Sequence, residues 1–230
     1  MTKAPEPGKV KTRLTPPLTR EEAAEINKCF LSDLGQAIAT ACAQSPGCGV
    51  GVYTPVGAEQ AYAGILPPDF LLLAQRGSDF GERLTAACED LFAVGFESVC
   101  LINSDSPTVP ASSFADAVNA LGRSGDRIVL GPSDDGGYYL VGVKRLHRRL
   151  FEEIDWSTER VLEQTLARTS EIGVDVHRLP SGFDVDDRVA LHRLCRELLD
   201  GASSHDVAPS TREFLTGIVE REGRQRIWPM

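Results

Sequence analysis

The chain has 230 residues, of which 42% are hydrophobic and 25% charged, with a formal charge of −9. These values suit one α/β core of ordinary size and exclude a disordered or membrane-embedded chain. Acidic residues outnumber basic ones 33 to 24, which excludes a nucleic-acid-binding surface and requires any phosphate site to be local. The six cysteines show no CxxC pair and mostly fall in apolar runs, as inert core thiols in a reducing compartment do. No apolar stretch approaches the roughly 18 residues of a membrane span, and the opening MTKAPEPGKV lacks the apolar core of a secretory signal. The expected location is cytoplasmic.

Apolar spacing predicts a long helix over 19–44, opened by a Thr19/Glu22 capping box. A strand over 49–53, a helical stretch over 58–65 and a strand over 70–74 follow. Then come a helix over 81–93, a strand over 98–102, a helix over 112–121, and two successive strands over 127–130 and 138–143. A helix over 158–170, a strand over 174–179, a helix over 187–199 and a terminal helix capped by Ser210 and Glu213 complete the pattern. Alternating strands and helices imply a mostly parallel sheet covered on both faces. The stretch 201–209 is too short to separate domains, so 1–230 reads as one domain. In such sheets ligands bind at the carboxyl ends of the strands, and the unusual residues of this chain fall in those loops.

The Pro/Gly-rich segment 4–10 reads as a loop that should follow a first strand, yet only three residues precede it. The first strand therefore reads as missing. Its loss would expose ladder groups on its neighbours, so we expect either coding sequence upstream or a tail or partner chain in the gap.

Five loops carry candidate chemistry. In KAPEPGKVKTRL, Pro7 and Gly8 shape a loop, and Lys9, Lys11 and Arg13 place three cations where a polyphosphate could be held; a solvated basic loop is the alternative. In CLINSDSPTVP, Asp105 stands at a strand end, to hold a divalent metal or to cap the next turn. In LGPSDDGGYYLVGV, Asp135, Gly136, Gly137 and Tyr138 form either a substrate loop or a tight hairpin. In SGFDVDDRVALHRL, Asp187 caps a helix, while Asp184 and Asp186 point to one side as joint metal ligands or as solvated carboxylates. In QRGSDFGERL, Gln75 could read a base edge with Gly77 and Gly81 allowing close approach, or Ser78 or Asp79 simply caps a helix.

Taken together, Ala4-Pro5-x-Pro7-Gly8-x-Val10-Lys11-Thr12-Arg13-Leu14, Gln75 to Leu84, Ser104-Asp105-Ser106-Pro107, Gly131-Pro132-x-x-Asp135-Gly136-Gly137-Tyr138, Trp156-Ser157-Thr158 and Asp184-Val185-Asp186 resemble the glycosyltransferase-like family DUF2064. The resemblance covers residues 3 to about 215. That family is similar to the nucleotide-diphospho-sugar transferases, and Lys-Thr-Arg-Leu with the Pro-x-Leu-Thr-x-Glu-Glu after it is similar to 2-phospho-lactate guanylyltransferases. The resemblance implies a Rossmann-like three-layer GT-A fold with a mostly parallel sheet, and the missing first strand reads as a departure of this chain from it. It implies Lys11 and Arg13 on the phosphates of a nucleoside triphosphate or nucleotide sugar, and Mg²⁺ or Mn²⁺ on Asp105 with Asp186 or Asp184. Nucleotidyl transfer to a small phosphorylated or carboxylate acceptor is the leading expectation, because Asn103 stands where the D-x-D metal motif of GT-A glycosyltransferases has its first carboxylate. Glycosyl transfer and non-catalytic nucleotide binding are the alternatives.

Overall fold

The computed structural model describes residues 1–201, 204 and 206–228. The stretch read as a short connection over 201–209 therefore includes residues 202, 203 and 205, which lie outside the described ones, as do 229 and 230.

Two groups of strands form. Strands β1 (Thr2–Lys3), β2 (Val50–Thr54) and β3 (Leu71–Ala74) are parallel neighbours in that order. Strands β4 (Val99–Ile102), β5 (Arg127–Pro132), β6 (Tyr138–Val143) and β7 (Asp175–Arg178) lie in the order β4-β6-β5-β7. β6 is antiparallel to both neighbours, while β5 and β7 are parallel. The Met1 amino group donates to Ile102 O at 2.8 Å, so β1 lies between β2 and β4 and the strands run 3-2-1-4-6-5-7. The strand expected to be missing is thus present, reduced to two residues.

The strands near the centre are apolar on both faces, as a sheet covered on both sides requires. Val99 and Leu101, Ile128 and Leu130, and Val141 and Val143 pack with Leu84 and Cys88 of α2 (Phe80–Ala93), and Leu162 of α4 (Val161–Ile172) packs against the same cluster. The alternate residues Val129 and Leu140 pack with Leu34 of α1 (Arg20–Gln44) and Phe114 of α3 (Ala111–Gly122). A further cluster joins α1 to α5 (Arg188–Leu199) and α6 (Pro209–Glu222) through Phe30, Leu191, Leu194 and Leu215.

Two helix starts follow the sequence. Thr19 Oγ1 accepts from Glu22 N while Glu22 Oε2 accepts from Thr19 N, and Asp187 Oδ1 accepts from Ala190 N. Two elements differ. The stretch expected as a helix over 58–65 is a single 3₁₀ turn, Glu59–Tyr62, and α6 has no side-chain cap from Ser210 or Glu213. The buried Asp33 of α1 does that work, accepting from Ser210 N, Thr211 N and Thr211 Oγ1 at 2.6–2.9 Å. Asp33→Ala orphans these donors at a helix N-terminus and is expected to cost about 3 kcal/mol. This should appear as a thermal midpoint lowered by roughly 6–12 °C; a midpoint within about 2 °C of wild type would show that solvent replaces the carboxylate.

Candidate functional site

The site is built where β4, β5 and the segment before α5 end together. Past Ile102 the chain turns sharply, held by Asn103 N on Tyr139 O at 2.9 Å. The segment 182–186 runs alongside, with Val185 N donating to Asp105 O and Asp134 N to Gly182 O. Alternation buries Val185 in the core under α5 and α6 and turns Asp184 and Asp186 the other way, toward the β4 loop.

These two carboxylates meet different surroundings. Asp184 Oδ1 accepts from Ser106 Oγ at 2.6 Å, Asn103 Nδ2 at 2.9 Å and Ser133 Oγ at 3.0 Å, tying the loops after β4 and β5 to the segment before α5. Burial pushes its pKa up, against the hydrogen bond from Ser106, and the nearby charges of Asp135 and Asp105 push the same way. Asp186 instead faces Lys11. The Lys11 backbone is left-handed, at φ 48, and this turns its side chain inward until only 5% of it is exposed. The ammonium lies 2.5 Å from Asp105 Oδ1, 2.9 Å from Asp186 Oδ1 and 3.0 Å from Val185 O. Burial works to lower the Lys11 pKa, but the charges of Asp105 and Asp186 and hydrogen bonds to them outweigh it and hold it above its ordinary value. Arg13, 74% exposed, reaches Asp186 Oδ2 at 3.3 Å.

Beside this cluster opens a cavity of about 800 Å³, lined by Arg13, Asp105, Asp184 and Asp186 and walled by Phe80 and Trp156. The two rings meet edge to face at 5.0 Å. Asp135, Gly137 and Tyr138 also reach the cavity. Asp135 Oδ1 accepts from Gly137 N at 2.9 Å, which closes the turn. The Tyr138 hydroxyl is buried beside Thr165, and burial raises its pKa, so the ring side rather than the phenol faces the site. Gly136, at φ +87, is required by the fold: a Cβ there would lie 2.2 Å from Glu159 O.

The other expected site residues lie off the cavity lining. Pro7 and Gly8 form the exposed turn before Lys11, and Lys9 points away to pair with Glu6. Gln75 spends its amide on Thr2 O and Val52 O at 3.0 and 2.9 Å. Gly81 packs against Phe151 O and Trp156, and Ser78 and Asp79 cap α2 through Glu82. Sequence reasoning missed Asn103, Ser106 and Ser133 as the residues that position Asp184. It also missed Arg193, which pairs with Asp134 at 2.6 Å and covers the Phe183 ring. Ser106 is hidden from local reading because its partner is 78 positions away.

The strand order 3-2-1-4-6-5-7 with its reversed β6, and a cavity at the carboxyl ends of the strands, define a Rossmann-like GT-A fold. The chain belongs to the DUF2064 family, described as uncharacterized proteins conserved in bacteria, which matches residues 37–158. It is similar to a crystal structure from Desulfovibrio desulfuricans G20, provisionally assigned as a nucleotide-diphospho-sugar transferase. Identity is 31% and the TM-score 0.83, over 95% of this chain and 93% of that one. No curated protein matches the chain. Among the described residues no helix is long and apolar enough to cross a membrane.

Proposed function

We propose that this chain is a transferase acting on an activated nucleotide, and that the reaction is nucleotidyl transfer from a nucleoside triphosphate to a small phosphorylated or carboxylate acceptor. The observation that carries the reading is the convergence of Asp105 and Asp186 on one cationic atom at the edge of the 800 Å³ cavity, a size that suits a nucleotide. Two hard carboxylate oxygens on one cation also fit Mg²⁺ or Mn²⁺. Among the described residues no larger set of His, Cys, Asp and Glu gathers, and magnesium typically takes one or two carboxylates, leaving the remaining positions to water and phosphate. Asp105 and Asp186 would hold the ion, with Asp184 steadying their loops. When bound, it would neutralise charge developing on the phosphates.

The chain's own residues would position and neutralise. Arg13 can turn its guanidinium fork onto phosphate oxygens, and Lys11 adds a second cation. The acceptor oxygen attacks the α-phosphorus, its bond to the bridging oxygen breaks, and pyrophosphate leaves with the electron pair. No covalent enzyme intermediate is needed. Asn103 supports this reading over a D-x-D metal motif, because its amide is committed to Asp184 and Ser106. Glycosyl transfer from a nucleotide sugar is the second reading, favoured by the similarity to a protein assigned to nucleotide-diphospho-sugar transfer.

The test is a thermal-shift screen of nucleoside triphosphates and nucleotide sugars with and without Mg²⁺ or Mn²⁺, followed by analysis of the product released. A ligand at about 100 times its Kd adds roughly 2.7 kcal/mol, or about 5–10 °C for a chain of this size. We expect a metal-dependent shift with one triphosphate, absent in Asp105→Asn, and pyrophosphate as product. Release of a nucleoside diphosphate would establish the second reading, and binding without turnover of any ligand would overturn both.

A further inference from the structure

The cavity has a second part, built differently from the Asp105–Lys11–Asp186 cluster at its edge. Helix α5 buries Leu191, Leu194, Cys195 and Leu198. Val189, Arg193 and Arg196, spaced i, i+4 and i+7, therefore share the opposite face, and all three line the cavity. At a rise of about 1.5 Å per residue this stripe runs roughly 10 Å along the helix, away from Asp186. Phe80 and Trp156 wall the same cavity. Phe80 and Val189 are 46% and 77% exposed, large apolar side chains that the fold itself leaves uncovered.

Arg193 is oriented before any ligand arrives. Its guanidinium lies over the Phe183 ring at 3.9 Å, and Nη1 donates to Asp134 Oδ2 at 2.6 Å. A guanidinium carries its N–H donors in a planar fork, so one held by stacking and by a single carboxylate oxygen keeps further donors for an anion. Arg196 is exposed one helical turn further on. The nearby carboxylates have other work: Asp187 accepts from Ala190 N and Asp135 from Gly137 N.

We infer that this part of the cavity is the acceptor subsite, and that it selects an acid with an apolar or ring-shaped body. The carboxylate or phosphate group of that molecule bridges Arg193 and Arg196, and its body lies on Val189 and the Phe80–Trp156 wall. The inference rests on reading the cavity as a transferase site. It holds for nucleotidyl and glycosyl transfer alike, since in both the donor phosphates belong with Lys11, Arg13 and the Asp105–Asp186 pair. The acid bound on α5 is an anchor, apart from the oxygen that reacts, and no bond is made or broken at it. Charge-assisted pairs beside apolar walls are stronger than in open water, so a neutral acceptor forfeits them and a bare anion forfeits the walls.

The experiment titrates the full chain, in chelator and without nucleotide, with phenyl phosphate, phenylacetate, inorganic phosphate and benzyl alcohol. Binding is read from Trp156 fluorescence, with Trp156→Phe as the control for the buried Trp228. The two ring-bearing acids are expected to bind about tenfold or more tightly than inorganic phosphate or benzyl alcohol, and the tighter of them names the anchoring group. Arg196→Met should weaken both acids by about tenfold and leave benzyl alcohol unchanged. Asp134→Asn removes the counter-ion of Arg193 and should tighten both acids by about two- to fivefold, a gain that misfolding cannot imitate. Equal binding of all four probes, or acids indifferent to both substitutions, would overturn the inference. So would an equal loss of nucleotide affinity in Arg196→Met, because the arginines would then hold the donor. A nucleotide-induced thermal shift without probe binding sinks the subsite alone. Probe binding with no nucleotide shift sinks the transferase reading and with it the acceptor role.

Discussion

Lys11→Met is expected to lower the thermal midpoint by roughly 4–12 °C in the presence of a chelator, and to regain much of that loss when Mg²⁺ or Mn²⁺ is added. Methionine keeps an unbranched stem beneath the Phe30 ring, which the ammonium faces at 5.5 Å, and removes the charge together with the hydrogen bond to Val185 O. Asp105 and Asp186 then lose the ammonium that bridged them, only the exposed Arg13 remaining on Asp186, and Asp184 adds its charge nearby. Breaking a buried pair costs about 3–5 kcal/mol. Here the carboxylates are 30% and 41% exposed, so solvent screening brings the figure to about 2–3 kcal/mol. A divalent ion on the same two carboxylates would supply the missing charge, whereas in the wild-type protein it must compete with Lys11. The metal-induced shift should therefore be larger in the variant. The folded-state pKa of Lys11 is raised, so its stabilisation is complete below the unfolded value near 10.4 and is lost only as pH rises through the folded one. The deficit of the variant should accordingly stay constant from neutral pH to about 9 and shrink in stronger alkali. With a nucleotide substrate, loss of this cation is expected to lower kcat by about 10²–10³. A variant as stable as wild type in chelator, or indifferent to metal, would remove Asp105 and Asp186 as a shared cation seat.

The parts of this molecule that local sequence reveals are those governed by period and by neighbours in the chain. Val99 and Leu101, like Ile128 and Leu130, alternate with residues of the opposite face because each strand has a period of two. Thr19 with Glu22, and Asp187, are legible because a cap and its amide lie within three residues. The loops after strands could be picked out beforehand, since their position follows from parallel topology. What each residue does inside those loops was not legible. Lys9, Lys11 and Arg13 read as equivalent cations, and only the left-handed backbone at Lys11 separates an inward ammonium from the outward Lys9. Gln75 looked like a base reader until strands 23 and 73 positions away claimed its amide. Asp33, in the middle of α1, gave no sign of capping a helix 177 positions on. What sets Asp184 apart from Asp186 is its hydrogen bonding to Asn103, Ser106 and Ser133, whose proximity exists only in the folded chain.

That last distinction gives the second large effect: Asp184→Ala is expected to cost about 3 kcal/mol, and Asp184→Asn less than about 1 kcal/mol, at neutral pH. Alanine leaves the buried Ser106 hydroxyl, the Asn103 amide and the Ser133 hydroxyl without their common acceptor. Asparagine keeps one acceptor oxygen, and its new N–H group is directed among the carboxylates that now oppose the Asp184 charge, those of Asp135 and Asp105. It also removes an ion whose burial is unfavourable. Because the folded-state pKa of Asp184 is raised, the native state holds this proton more tightly than the unfolded chain, whose value is near 3.9. Stability from that source is complete below the unfolded value and is lost as pH rises through the folded one. Asparagine does not titrate, so its stability relative to wild type should improve between about pH 3.5 and pH 7. Urea unfolding of the three proteins across that range checks both statements. If asparagine proves as damaging as alanine at pH 7, the charge itself holds the three loops together, and Asp184 would have to be reconsidered as a ligand rather than as the group that positions Asp105 and Asp186.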